Sequence, residues 1–251
     1  MKVISVTKEN ILLVIYVIAI AAGLAITWRM QAVPTSTFAM PLSKKIVLID
    51  AGHGGYDPGK VSGSSNEKDI NLNIAKKLQA YLETADATVI MSRVDDTGVK
   101  SKKSDMYTRK LIANSSSADI FVSIHQNSFP NSGVHGAQVF YFNRSDNSKK
   151  LAENIQKELK GFVDYQNKFE AKENSNYYVL KQTSMPAVIV ECGFLTNAAE
   201  KAKLLEEDYQ DRLAWAIYMG IVDYFTQQEQ APAPVAPAPA QTAPAAPATA
   251  S

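Results

Sequence analysis

The chain has one cysteine, Cys192, in 251 residues. An intrachain disulfide needs two, so no bridge framework holds this fold, and buried apolar surface must stabilise it. Histidine is almost as scarce, with only His53, His125 and His135. An excess of either charge is missing too: 26 lysines and arginines face 25 aspartates and glutamates, a formal net charge of +1. That balance gives no support to a nucleic-acid surface. No internal repeat is visible.

Both ends differ from the middle. ILLVIYVIAIAAGLAIT (11 to 27) has no charged residue; Lys2 and Lys8 precede it, and Trp28 and Arg29 follow as an interfacial ring and cation would. As a helix it rises about 26 Å, at the short end of what spans a bilayer. It reads as a signal anchor or as a long signal peptide, with Gly23 and Ala25 as small residues for a cleavage site. Either reading places the rest of the chain outside the cytoplasm, membrane-anchored or secreted, in the cell envelope. The C-terminal stretch QAPAPVAPAPAQTAPAAPATAS (230 to 251) is mostly alanine and proline, with no charge. It has too little apolar surface to offset the entropy of ordering and reads as a polyproline-biased spacer or disordered tail.

Between these ends, apolar runs alternate with amphipathic stretches. KKIVLID (44 to 50), ATVIMSR (87 to 93), DIFVSIH (119 to 125), GAQVFYF (136 to 142) and AVIVECG (187 to 193) read as strands. YYVLKQT (177 to 183) reads as a further short strand. Helices are expected over 69 to 83, 104 to 118 (capped by Ser104 or Asp105), 147 to 161, 198 to 207 and 209 to 227. Continuously apolar strands alternating with helices imply an α/β fold, a mostly parallel twisted sheet covered by helices on both faces. Binding sites in such sheets lie beyond the carboxyl ends of the strands. His53 falls in the loop leaving the first strand, His125 ends the third, and Glu191 lies near the end of AVIVECG.

LIDAGHGGYDPG (48 to 59) sets His53 among glycines that permit close backbone approach. It lacks the Gly-Lys-Ser/Thr ending of a phosphate loop and the spacing of a dinucleotide site. Two imidazoles and one anionic side chain would make a catalytic zinc site with a position left for water. Glu67, just ahead of the helix expected from Asp69, is the best third ligand; stabilising the helix dipole is its competing role. Asp57 could also bind metal, but its D-P-G turn explains it. Cys192 points to the opposite strand face from Glu191 and reads as a core thiol. His135, in a loop before a strand, reads as solvent-facing or as part of a substrate rim.

Four motifs in order, DAGHGGYDPG, NEKDINLNIAKKL, ADIFVSIHQNS and PAVIVECGFLTN, resemble the zinc-dependent N-acetylmuramoyl-L-alanine amidases, in particular the type-3 catalytic domain. The resemblance spans roughly residues 45 to 225. It implies a phosphorylase/hydrolase-like α/β fold and one Zn2+ held by His53, Glu67 and His125, with Glu191 as catalytic acid/base. It also implies a peptidoglycan substrate, cut between the lactyl group of N-acetylmuramic acid and the first L-alanine of the stem. Ala51 replaces the proline often found in DPGHGG, a change that touches no ligand. Asn127, Arg93 and Arg109 are candidates for contacting substrate, with surface ion pairing the competing reading for the arginines. The expected organisation is an anchor or signal segment over 1–30, a linker over 31–43, a zinc amidase domain over 44–228 and a tail over 229–251. The likeness is greatest to the spore-cortex branch, with vegetative wall turnover as the other setting. A zinc peptidase acting on stem peptides and a non-catalytic, membrane-tethered wall-binding protein are the rival functions. A protein activator is left open.

Overall fold

A computed structural model of the protein describes residues 8–31, 41–96 and 101–230. The expected linker lies largely outside these residues, as does the tail from 231 onwards. The chain divides into two compact units, Met1–Ala39 and Met40–Ser251. The first contains α1 (Lys8–Gln31), which covers the uncharged stretch. Its apolar side chains from Ile11 to Ile18 are exposed. Among the described residues no helix is long and apolar enough to cross a membrane, and the side chains of 22–31 fall outside that description.

The second unit begins with β1 (Ile46–Ala51), a two-stranded hairpin of β2 (Val61–Ser62) and β3 (Ser65–Asn66), α2 (Glu67–Thr84) and β4 (Thr88–Met91). There follow α3 (Lys102–Ser115), β5 (Ile120–Asn127), β6 (Gln138–Tyr141), α4 (Asp146–Phe162) and β7 (Lys172–Glu173). Last come α5 (Tyr178–Gln182), β8 (Ala187–Phe194), α6 (Ala198–Leu204) and α7 (Glu207–Gln230). Six strands form one sheet in the order β4-β1-β5-β8-β6-β7.

The pairs β1–β4, β1–β5, β5–β8 and β6–β7 are parallel, and β6 runs antiparallel to β8. No helix lies between β5 and β6 to carry the chain back to its starting edge, so β6 returns in the opposite sense.

Alternation along the strands divides the core. Val47, Ile49, Ile120, Val122, Ile124, Val188, Val190 and Cys192 share one cluster with α2, α4 and α7. Leu48, Phe121, Ala187 and Ile189 share the other with residues of α3 and α5. The central strands β1, β5 and β8 thus bury both faces, which is why they read as continuously apolar. Cys192 lies fully buried in the first cluster, as expected of a core thiol. On α2, Ile70, Ile74, Leu78 and Leu82 recur at four-residue spacing and are buried. The α7 stripe of Leu213, Ile217, Ile221, Tyr224 and Phe225 is likewise buried.

Three local expectations change: α3 begins at Lys102, so Ser104 and Asp105 lie inside its first turn rather than at the cap position. Residues 178–182 form a helix, not a strand. β8 already pairs with β5 on one side and β6 on the other, so no edge is open to this segment there. Its backbone closes on itself instead, Lys181 N–H to Tyr177 O at 3.1 Å and Thr183 N–H to Val179 O at 3.1 Å, and Leu180 enters the second core cluster. α2 begins at Glu67 rather than near Asp69. Its first-turn donors find loop carbonyls, Glu67 N–H to Lys60 O at 3.0 Å and Lys68 N–H to Pro58 O at 3.2 Å.

Candidate metal centre and active site

The site lies at the carboxyl edge of β1, β5 and β8, on the sheet face shared with α3 and α5. His53 follows β1 in a loop and has φ of 61°. That left-handed conformation costs a non-glycine residue roughly 1–2 kcal/mol. It is held by Arg109, whose Nη2 donates to the His53 carbonyl at 2.6 Å, and by the paired Gly54 and Asp57 backbones.

His125 lies near the end of β5, and its ring centroid is 4.9 Å from that of His53, with the planes near perpendicular. Glu67, only 4% exposed, stands between them. Its Oε1 lies 3.2 Å from His53 Nε2 and 3.0 Å from His125 Nδ1.

These three residues can each offer one ligand atom, all within 4.8 Å of one another. At two glycines beside them the backbone leaves no room for a side chain. A Cβ at Gly59 would lie 2.6 Å from Glu67 Oε2 and 2.7 Å from His53 Cδ2, and one at Gly52 would overlap the His125 ring. Gly59 also has φ of 66°, so glycine is required there on both counts.

The supporting bonds orient each donor. Asp57 Oδ2 lies 2.9 Å from His53 Nδ1, leaving Nε2 directed at Glu67. The Glu67 carboxylate accepts the Lys60 N–H on Oε2 at 2.8 Å and the Gln126 N–H on Oε1 at 3.0 Å. Burial alone would raise its pKa, but the bonds and charges of His125 and His53 outweigh this and hold it far below the usual carboxylate range. Burial alone would lower the pKa of His53, yet Glu67 and Asp57 raise it. The cluster therefore favours positive charge at its centre. Two imidazoles and one carboxylate, packed this closely, fit a zinc ion.

Glu191 sits on β8 with its Cα in register with His125. Its Oε1 accepts the Tyr177 hydroxyl at 3.3 Å, and its buried Oε2 has no hydrogen-bond partner among the described residues. Burial first, and then the negative charge of Glu67, raise its pKa to about 7. A cleft of about 360 Å³ brings His53, Glu67, His125 and Glu191 to one space.

The remaining candidates separate. Asn127 lines the cleft, as does Arg109. Arg109 is no surface residue: it pairs with Asp50 and Asp105, and burial, which opposes its charge, is overcome by Asp50 so that its pKa is raised. Arg93 is not among the cleft residues. Its guanidinium donates to the carbonyls of Ala51, Gly52, Lys68 and Asp95, so its donors tie the loop to α2. His135 stands outside the ligand trio, 3.9 Å from Asp164 and 56% exposed at its side chain.

Three contributors escaped the sequence reading. Asp57 carries His53 besides making its turn. Asp50 is buried and accepts from Ser92 and Ser123, each at 2.6 Å, as well as from Arg109. Its position at the end of a buried strand was the only available signal. Tyr177 reaches Glu191 from a segment that the sequence suggests is a strand, and nothing local signals that contact.

Comparisons with known proteins point to one family. Residues 47–223 match the family N-acetylmuramoyl-L-alanine amidase (Amidase_3). The germination-specific N-acetylmuramoyl-L-alanine amidase of Bacillus subtilis (strain 168) is 36% identical over 204 residues, covering 78% of this chain and 86% of that one. The CwlD amidase of Clostridioides difficile, solved in complex with the GerS lipoprotein, shares 41% identity and a TM-score of 0.71, over 73% of this chain and all of that one. An N-acetylmuramoyl-L-alanine amidase from Clostridium difficile 630 shares 39% identity and a TM-score of 0.67, over 74% and 99%. With its mostly parallel sheet, the family match over residues 47–223 and relatives of 36–41% identity, the chain belongs to the N-acetylmuramoyl-L-alanine amidase family.

Proposed function

We propose that this protein hydrolyses the amide bond between N-acetylmuramic acid and L-alanine in peptidoglycan. His53 Nε2, Glu67 Oε1 and His125 Nδ1 would hold one zinc ion, and Glu191 would act as acid and base. The observation carrying the reading is the single cleft shared by three convergent metal donors and a buried carboxylate oxygen without a partner.

When bound, zinc would supply Lewis acidity and lower the pKa of a coordinated water towards ~7. The protein's own part is proton handling and orientation. Glu191 Oε2 accepts a proton from the attacking water and then delivers it to the departing amide nitrogen, ending as the carboxylate again. A pKa near 7 suits a group that must both take and give a proton near neutrality. Asp57 keeps the ligating nitrogen of His53 turned inward, while the Lys60 and Gln126 N–H groups hold Glu67 in its orientation. Asn127 is the cleft residue assigned to substrate contact; Arg109, whose Nε, Nη1 and Nη2 are held by Asp105, Asp50 and the His53 carbonyl, is assigned with Arg93 to the scaffold.

The exposed apolar face of α1, together with the uncharged stretch, supports membrane attachment of a domain acting in the cell envelope. The domain division proposed from the sequence is kept: 1–30 as anchor or signal segment, 31–43 as linker, 44–228 as catalytic domain and 229–251 as tail. Likeness to a germination-specific amidase favours the spore cortex as substrate. The lipoprotein bound to the CwlD relative makes a lipoprotein the class of partner to seek.

Mass spectrometry of digested wall and cortex tests the function. Fragments with free L-alanine amino termini and intact muramic acid are expected, with their release stopped by chelation and restored by zinc. Cleavage within the stem would establish a peptidase instead, and no cleavage would leave a wall-binding protein.

A further inference from the structure

We propose that Tyr177 is a positioning residue for Glu191, fixing which carboxylate oxygen handles the proton. The inference rests on the acid/base role given to Glu191. The two oxygens of that carboxylate are in different situations. Oε1 lies 3.3 Å from the Tyr177 hydroxyl, whereas Oε2 is buried without a partner among the described residues. A phenol donates one proton, and an ionised carboxylate can only accept. The bond lowers the basicity of Oε1 and leaves Oε2 as the more basic of the two oxygens. After proton uptake the hydrogen resides on Oε2 while Tyr177 still donates to Oε1. Tyr177 keeps its own proton throughout.

The phenol is well placed for this task. Its ring meets Phe140 edge-on with centroids 5.5 Å apart. Its backbone N–H donates to Asn174 Oδ1 at 3.2 Å, and its carbonyl accepts the Lys181 N–H of α5 at 3.1 Å. The ring is thus packed against β6 while the main chain is held on both sides, so the hydroxyl projects from a rigid support. Both Tyr177 and Glu191 line the cleft. A carboxylate held at one oxygen gives up less rotational freedom in reaching the reactive geometry, an advantage realised in turnover rather than in substrate affinity.

Tyr177→Phe keeps the ring and removes only the donor. In the zinc-loaded full chain, kcat should fall about 10-fold, with KM, zinc content and Tm near wild type. An infrared difference spectrum gives a readout independent of turnover. The Glu191 carboxylate band, identified by its loss in Glu191→Gln, should shift in Tyr177→Phe. An unchanged kcat overturns the proposal. So does a rise confined to KM, or a loss of activity that only follows loss of folded protein. If the wild type cleaves no amide, the amidase reading fails on its own, and an unshifted band would then also show that Tyr177 does not hold Oε1.

Discussion

Asp57 holds His53 by the nitrogen that the metal does not need: Oδ2 lies 2.9 Å from Nδ1, and Nε2 faces Glu67 Oε1 at 3.2 Å. A carboxylate in this position selects the tautomer protonated on Nδ1 and keeps the ligating nitrogen unprotonated and aimed. Asp57→Asn should therefore lower zinc affinity by about 10- to 100-fold while leaving the three ligands in place. Competition against a chelator of known affinity measures this. Affinity equal to wild type would reduce Asp57 to its turn.

Glu191→Gln should keep zinc content near wild type while turnover drops by about 10²- to 10⁴-fold, the usual contribution of a positioned acid or base. His125→Ala should lose both zinc and activity. Metal analysis beside a cleavage assay separates the two behaviours.

Glu191 also makes the metal-free protein sensitive to pH. Its folded pKa, about 7, is raised above the ordinary 4.5 chiefly by burial. The folded state then binds the proton more tightly than the unfolded state, so this stability is fully present below about pH 4.5 and is lost as pH rises through about 7. Metal-free Glu191→Gln should match the wild type near pH 4.5 and exceed it at pH 8, by at most on the order of 3 kcal/mol. Urea unfolding at both pH values measures the difference. A variant less stable than wild type at pH 8 would contradict it.

Asp50 behaves in the opposite sense. Burial would raise its pKa, but Arg109, Ser123 and Ser92 together hold it below the usual range. Its contribution is present above its ordinary pKa and fades as the solution is acidified below that value. Asp50→Ala would leave the Arg109 charge buried without its main partner, at a cost of about 3–5 kcal/mol. Because Arg109 also holds the His53 carbonyl, zinc affinity should fall along with the urea midpoint.

Gly59→Ala tests how tightly the backbone encloses the ligands. It combines a strained φ of 66° with a Cβ 2.6 Å from Glu67 Oε2. Loss of zinc binding is expected even where circular dichroism shows the fold retained. Normal zinc content would mean that the loop can move aside.

The sequence by itself determined the alternation of buried strands and amphipathic helices. The central strands β1, β5 and β8 each carry their own run of apolar side chains, and the long helices their own period, as Ile70, Ile74, Leu78 and Leu82 do on α2. Strand ends are local features too, which is why His53, His125 and Glu191 could be placed at one edge before any coordinates. The helical state of 178–182, the antiparallel course of β6 and the bond between Tyr177 and Glu191 were decided only by tertiary structure. Each depends on which edges and faces remain open once distant segments have paired, and no short window of residues records that.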